Sequence, residues 1–228
     1  MEQISDYILH NDHHLVVINK PSGLSASSQA NGEKGMLELV SSYTKCKLYP
    51  INRLDTPVSG IMIAAKSSEA AAKLNKQFAS RKITKLYLAV TRQMPNEKQG
   101  QWKDKIGKSK GRNMSMIDPN GLEACTDFQW VESLDHVHLL TLRPLTGRHH
   151  QLRVQMSHHL APIRGDQKYG DKRGNPDRSI DLHACYIELK HPSTGQKHEF
   201  VAPLPQKPPW KHFEIAKHED YVRRLFKN

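Results

Sequence analysis

Asp55 is the one acid in the stretch "INRLDTPVSGIMIAAK", residues 51–66, where it lies between Arg53-Leu54 and a Thr-Pro-Val-Ser-Gly turn. An aspartate before Thr-Pro suits a turn, because its side chain readily bonds its own backbone. It equally suits a reacting group in a loop at a sheet edge, where functional side chains concentrate. With a reference pKa of about 3.9 it is ionised at neutral pH, and a carboxylate is an effective nucleophile toward a glycosidic carbon. Arg148, in "TGRHHQLR", carries a forked donor that matches a carboxylate, and it also reads as a surface arginine at a helix start. Tyr87, in "KLYLAVT", occupies a strand position facing away from Leu86, Leu88 and Val90. The 14 histidines include pairs at 13–14, 149–150 and 158–159. None has the HExxH spacing of zinc hydrolases, so no metal is expected.

These groups need elements to hold them. "HHLVVINKPSGL" predicts a short apolar strand closed by a Lys-Pro-Ser-Gly turn, and "GMLELVSSYTK" has the apolar spacing of a helix. The nearly continuous apolar run "SGIMIAAK" predicts a central strand covered on both faces. Ser67 or Ser68 can cap a helix with Ala70, Leu74 and Phe78 on one stripe. "KLYLAVT" and "VHLLTLRPL" read as strands, and Leu152, Met156 and Leu160 mark a helix that places Gly147-Arg148 at a strand-to-helix junction. Two strands joined by Pro-Ser-Thr-Gly follow, then a terminal helix over "HFEIAKHEDYVRRLF". Strand pairs mixed with helices predict an α+β fold, and the length of 228 residues is consistent with a single domain over 1–228.

With 34 Lys and Arg against 23 Asp and Glu, the formal charge of +11 favours an acidic partner. Ten basic and two acidic residues lie between Arg81 and Arg112, and "KDKIGKSKGR" reads as a solvated hairpin or loop able to meet phosphates. No apolar run approaches the roughly 20 residues of a spanning helix, and the polar start is unlike a secretory signal. Cys46, Cys125 and Cys185 have no paired spacing. No membrane association and a cytoplasmic location are therefore expected.

"RLD" followed by "SG" and an apolar strand resembles the HRLDxxTSG motif of the RluA-type RNA pseudouridine synthases. "VVINKPSGL", "KITKLYLAV", "PLTGRHHQLRVQMSHHLAPIRGDQKYG" and "LHACYIELKHPSTGQKHEFVAPLP" resemble further segments of that family, in the same order from about Asp12 to Pro205. The resemblance implies a mostly antiparallel mixed sheet with flanking helices and a central RNA-binding cleft. It implies an isomerase that detaches a uracil from its ribose within an RNA chain and rejoins it through ring carbon 5, without cofactor or metal. Asp55 would be the nucleophile, Arg148 its ion partner and Tyr87 the residue against the base. Base flipping would bring the uridine to Asp55, with Arg53, His150 and Arg153 positioning RNA and Leu182 walling the pocket.

The family pattern is not kept everywhere. Asn52 stands for the usual His, Thr56-Pro57-Val58 for Arg-Asp-Thr, and His149 for Thr, departures that bear on flipping and substrate choice. The chain reads as a short, monomeric member without a small N-terminal RNA-binding module, acting on ribosomal RNA, transfer RNA or both. Two other readings share the charge or the carboxylate: a non-catalytic RNA-binding or ribosome-assembly protein on this fold, and a hydrolytic glycosidase that releases free base.

Overall fold

A computed structural model describes residues 3–30, 32–109, 111, 113–218 and 220–225. The chain divides into two compact units, residues 1–85 with 184–203 and residues 86–183 with 204–228. The fold is α+β.

In the first unit β1 (Ile8–Asn11), β2 (Leu15–Lys20) and β4 (Ser59–Ala65) are neighbours, and short β3 (Tyr49–Pro50) pairs with β4. β10 (Leu182–Lys190), whose residues from Ala184 onward belong to this unit, follows β4 and carries β11 (Lys197–Val201). β2 and β4 are antiparallel, with Leu15 opposite Ala65 and Lys20 opposite Gly60. As its apolar run predicts, β4 is buried from Gly60 to Ala65. One face packs Leu15, Val17, Ile61 and Ile63 against Ala70, Ala71 and Leu74 of α2 (Ser68–Ala79). A fully buried leucine such as Leu74 contributes about 1.5–3 kcal/mol. α2 begins where expected, with the Ser67 side chain accepting from the Ala70 amide at 3.1 Å. α1 (Met36–Thr44) buries Met36, Leu37 and Val40.

In the second unit β5 (Thr84–Thr91), whose residues from Leu86 onward belong to it, β9 (Val137–Pro144), β8 (Leu122–Leu134), β6 (Gln99–Lys108) and β7 (Ser115–Ile117) form an antiparallel order. The basic stretch is therefore mostly strand, with Lys103, Lys105 and Lys108 exposed on β6; Lys110 and Arg112 lie outside the described residues. α3 (Gln151–His159) packs on β6 and β7 and is buried continuously from Gln151 to Met156. Its polar Gln151, Arg153 and Gln155 are inside as well as its apolar stripe.

The expected terminal helix is broken. Single 3₁₀ turns at Trp210–His212 and Glu214–Lys217 precede a short α4 (Tyr221–Leu225), while Glu219 and Phe226 lie outside the described residues. Buried Phe213, Ile215, Tyr221 and Val222 would spread around a continuous helix rather than share one face. The Glu132 carboxylate also accepts from the Glu214 and Ile215 amides, at 2.9 and 3.0 Å.

Candidate active site

Asp55 sits half-buried in the loop between β3 and β4, and Arg53 two residues earlier is exposed. The loop is closed by the Val58 amide donating to the Asp55 carbonyl at 3.0 Å. It is also tied to the Lys20-Pro21-Ser22-Gly23 turn. The Gly23 amide donates to the Thr56 carbonyl at 2.8 Å, from a backbone with φ of 87° that suits glycine. Lys20 Nζ donates to the carbonyls of Pro21 and Leu24, both at 2.7 Å, and of Thr56 at 3.3 Å. The lysine is wholly withdrawn from solvent. Burial pushes its pKa down to about 7, while the negative charge of Asp55 acts in the opposite direction. The acid and this buried lysine therefore belong to one compact unit and interact electrostatically within it.

Asn52, one of the departures, bonds to β4. Its amide nitrogen donates to the Ile61 carbonyl at 3.1 Å, and its oxygen accepts from the Ile63 amide at 2.7 Å. The side chain extends the pairing of the sheet and fixes the loop's entry. At its exit Gly60 has φ of 112°, and a Cβ there would lie 2.3 Å from the Ala184 carbonyl oxygen. Only glycine suits that position.

In the second unit Arg148 follows Thr146-Gly147 into α3, as the spacing predicts. Its Nε donates to the Glu123 carbonyl at 2.8 Å. The turn is organised by Gln151, whose oxygen accepts from Thr146 Oγ1 at 2.7 Å and from the Arg148 amide at 3.0 Å. Its nitrogen donates to the Cys125 carbonyl at 3.1 Å and to Thr126 Oγ1 at 2.9 Å. One neutral amide thereby satisfies four groups and joins the turn to β8.

His150 opens α3 from a left-handed backbone with φ of 51° and stacks on His149, ring centroids 3.8 Å apart. Arg153 is buried and grips Asp166 through two bonds of 2.7 and 2.8 Å. Its Nη1 lies 3.3 Å from His150 Nε2, and His150 Nδ1 is 2.7 Å from Tyr169 Oη. Arginine can only donate, so Nε2 is the acceptor and Nδ1 carries the proton toward the tyrosine. Tyr87 is half-buried on β5 opposite Leu142 of β9, and Leu182 is buried at the start of β10.

Residues 14–158 match the family described as RNA pseudouridylate synthase. The chain belongs to the RNA pseudouridylate synthase family. As expected of an RluA-type synthase, it is similar to a ribosomal large subunit pseudouridine synthase C of Rickettsia typhi, 34% identical over 212 residues, 89% of this chain and 69% of that protein. The corresponding protein of Vibrio vulnificus is 30% identical over 217 residues, 89% of this chain and 67% of its own length. Among solved structures, human RNA pseudouridylate synthase domain containing 4 superposes with a TM-score of 0.72 at 28% identity, covering 89% of this chain and 90% of that one. This synthase is accordingly an isomerase acting on RNA.

The sequence reading of this synthase omitted Lys20, Gln151, Asp166 and Tyr169. All four lie inside segments that carry the family resemblance, but a lone lysine or glutamine has no local signal that distinguishes a buried anchor from a solvated side chain.

Proposed function

We propose that Asp55 is the nucleophile by which this synthase converts uridine to pseudouridine in ribosomal RNA, transfer RNA or both. The observation that carries this reading is the Asp55 loop, anchored through Thr56 to a buried lysine and to Gly23. A carboxylate oxygen attacks ribose C1′, and the electron pair of the broken C1′–N1 bond leaves with the uracil. The uracil turns, its C5 bonds to C1′ as the carboxylate departs, the C5 proton is removed, and N1 is protonated. Arg148 is the ion partner of Asp55 and offsets the repulsion between its carboxylate and RNA phosphates. Tyr87 lies against the flipped base and takes part in the final proton removal, and Leu182 walls the base pocket. Arg53 and His150 position the flipped strand, with Arg153 holding the His150 ring. The lysines of β6 add phosphate contacts.

On this reading residues 1–228 are one catalytic domain, in a monomer. A cytoplasmic location fits three cysteines that form no disulfide among the described residues, and no helix of those residues is long and apolar enough to cross a membrane.

The test is tritium release from ribosomal and transfer RNA transcripts labelled at uridine C5, with wild type and Asp55→Ala at equal folded fraction. Wild type releases tritium, and the variant loses at least about a thousand-fold in rate. Equal release by both proteins would remove Asp55 from the chemistry. Free uracil among the products would identify a glycosidase instead, and no turnover by wild type on either RNA would favour a binding protein.

A further inference from the structure

We propose that Asp104, His158 and His159 form a binding site for a divalent transition ion such as zinc, cobalt or nickel, which ties the C-terminal end of α3 to β6. One ligand atom from each residue lies within 4.8 Å of the others. Asp104 is on the α3-facing side of β6, and the two histidines end α3, so only the packing of helix on strand brings them together.

The second observation is how the carboxylate is held. The Asp104 side chain is only 7% exposed, and its Oδ2 accepts from Gln155 Nε2 at 2.7 Å and from His159 Nε2 at 2.8 Å. Among the described residues no lysine or arginine is ion-paired with it, so a nearly buried anion has an amide and an imidazole as partners. Trp102 stacks flat on His159, with centroids 5.4 Å apart and planes 3° from parallel, which holds the ring's Nε2 toward Asp104. Gln155 is itself held by Thr126 Oγ1 at 2.6 Å. Two of the three ligands are therefore pre-oriented by surrounding contacts, as in protein metal centres. His158 is exposed and lies edge-on to the His159 ring, with centroids 4.8 Å apart.

Two imidazole nitrogens and one carboxylate oxygen suit zinc, cobalt, nickel or copper, whereas magnesium and calcium favour all-oxygen sets. Three protein ligands leave a fourth position to water. Bound ion would replace the Asp104–His159 hydrogen bond with coordination and fasten α3, whose other end carries His150 and Arg153. The proposal is independent of the catalytic reading.

The test titrates chelator-stripped, full-length protein without a histidine tag, using Zn²⁺ by calorimetry and Co²⁺ by visible absorption. Wild type should bind one equivalent, show the cobalt bands of a four-coordinate centre and gain Tm with zinc. His158→Ala and Asp104→Asn should each weaken zinc binding at least about tenfold and remove the cobalt bands. The exposed His158 makes its variant a folding-neutral probe, checked by an unchanged Tm without metal. Wild-type affinity in either variant, or no saturable binding by wild type, would overturn the site.

Discussion

Lys20 Nζ lies 3.3 Å from the carbonyl oxygen of Thr56, so a lysine withdrawn from solvent is bonded to the residue immediately after Asp55. The same carbonyl accepts from the Gly23 amide, which makes the Lys-Pro-Ser-Gly turn the support of the Asp55 loop. Three carbonyls share this one donor. Lys20→Met leaves them short of a partner and should destabilise the protein by about 1–3 kcal/mol. Pseudouridine formation should fall at the same folded fraction, because the loop loses both its anchor and a nearby charge. Urea unfolding together with tritium release checks this, and wild-type values in both would refute the anchor.

The same lysine gives a pH signature. Its folded pKa of about 7 lies below the unfolded value of 10.5, so between these limits the unfolded chain binds more protons. Stability from this group therefore rises with pH across that window, and its burial penalty is fully present below about pH 7. The wild-type minus Lys20→Met difference in unfolding free energy should climb by up to about 1.4 kcal/mol per pH unit between pH 7 and 10. A flat difference would mean that Lys20 keeps an ordinary pKa.

Gln151 should act as a positioning residue for Arg148. Gln151→Leu keeps the volume but leaves Thr146, the Arg148 amide, Thr126 and the Cys125 carbonyl without its two polar atoms. We expect a loss of about 2 kcal/mol or more in stability. On the proposed role of Arg148 as the ion partner of Asp55, kcat in the folded fraction should fall by roughly tenfold or more with a smaller change in KM. Unchanged kcat would restrict Gln151 to folding.

Gly60→Ala should be poorly tolerated. The new methyl would meet the Ala184 backbone at 2.3 Å from a positive φ, with strain on the order of 2 kcal/mol or more. Circular dichroism melting should show the lowered Tm, and a variant as stable as wild type would mean that β4 and Ala184 can separate cheaply.

Much of the frame was readable residue by residue. The Ser67 cap of α2 and the covered β4 follow from local preferences: a hydroxyl before a polar first turn, and an apolar run of strand length. The expected terminal helix is broken: "HFEIAKHEDYVRRLF" has helix-forming residues, but its buried Phe213, Ile215, Tyr221 and Val222 would not share one face of a continuous helix. The lysine-rich hairpin was readable as solvated, but its inward Trp102, Asp104 and Ile106 became visible only once β6 was paired with β8. Asn52 was a bare departure from the family pattern until its side chain was seen bonding to Ile61 and Ile63.

Ordered motifs by themselves determined the family, the isomerase chemistry it carries, and Asp55 as the residue to examine, because each motif is a local arrangement of residue types along the chain. The tertiary structure decided what supports those motifs. Lys20 became a buried anchor of the Asp55 loop, Gln151 the organiser of the Arg148 turn, and Asp104 a neighbour of His158 and His159. Burial and hydrogen bonding depend on partners distant in sequence, so a polar side chain acquires such a role only when folding removes its water and supplies those partners.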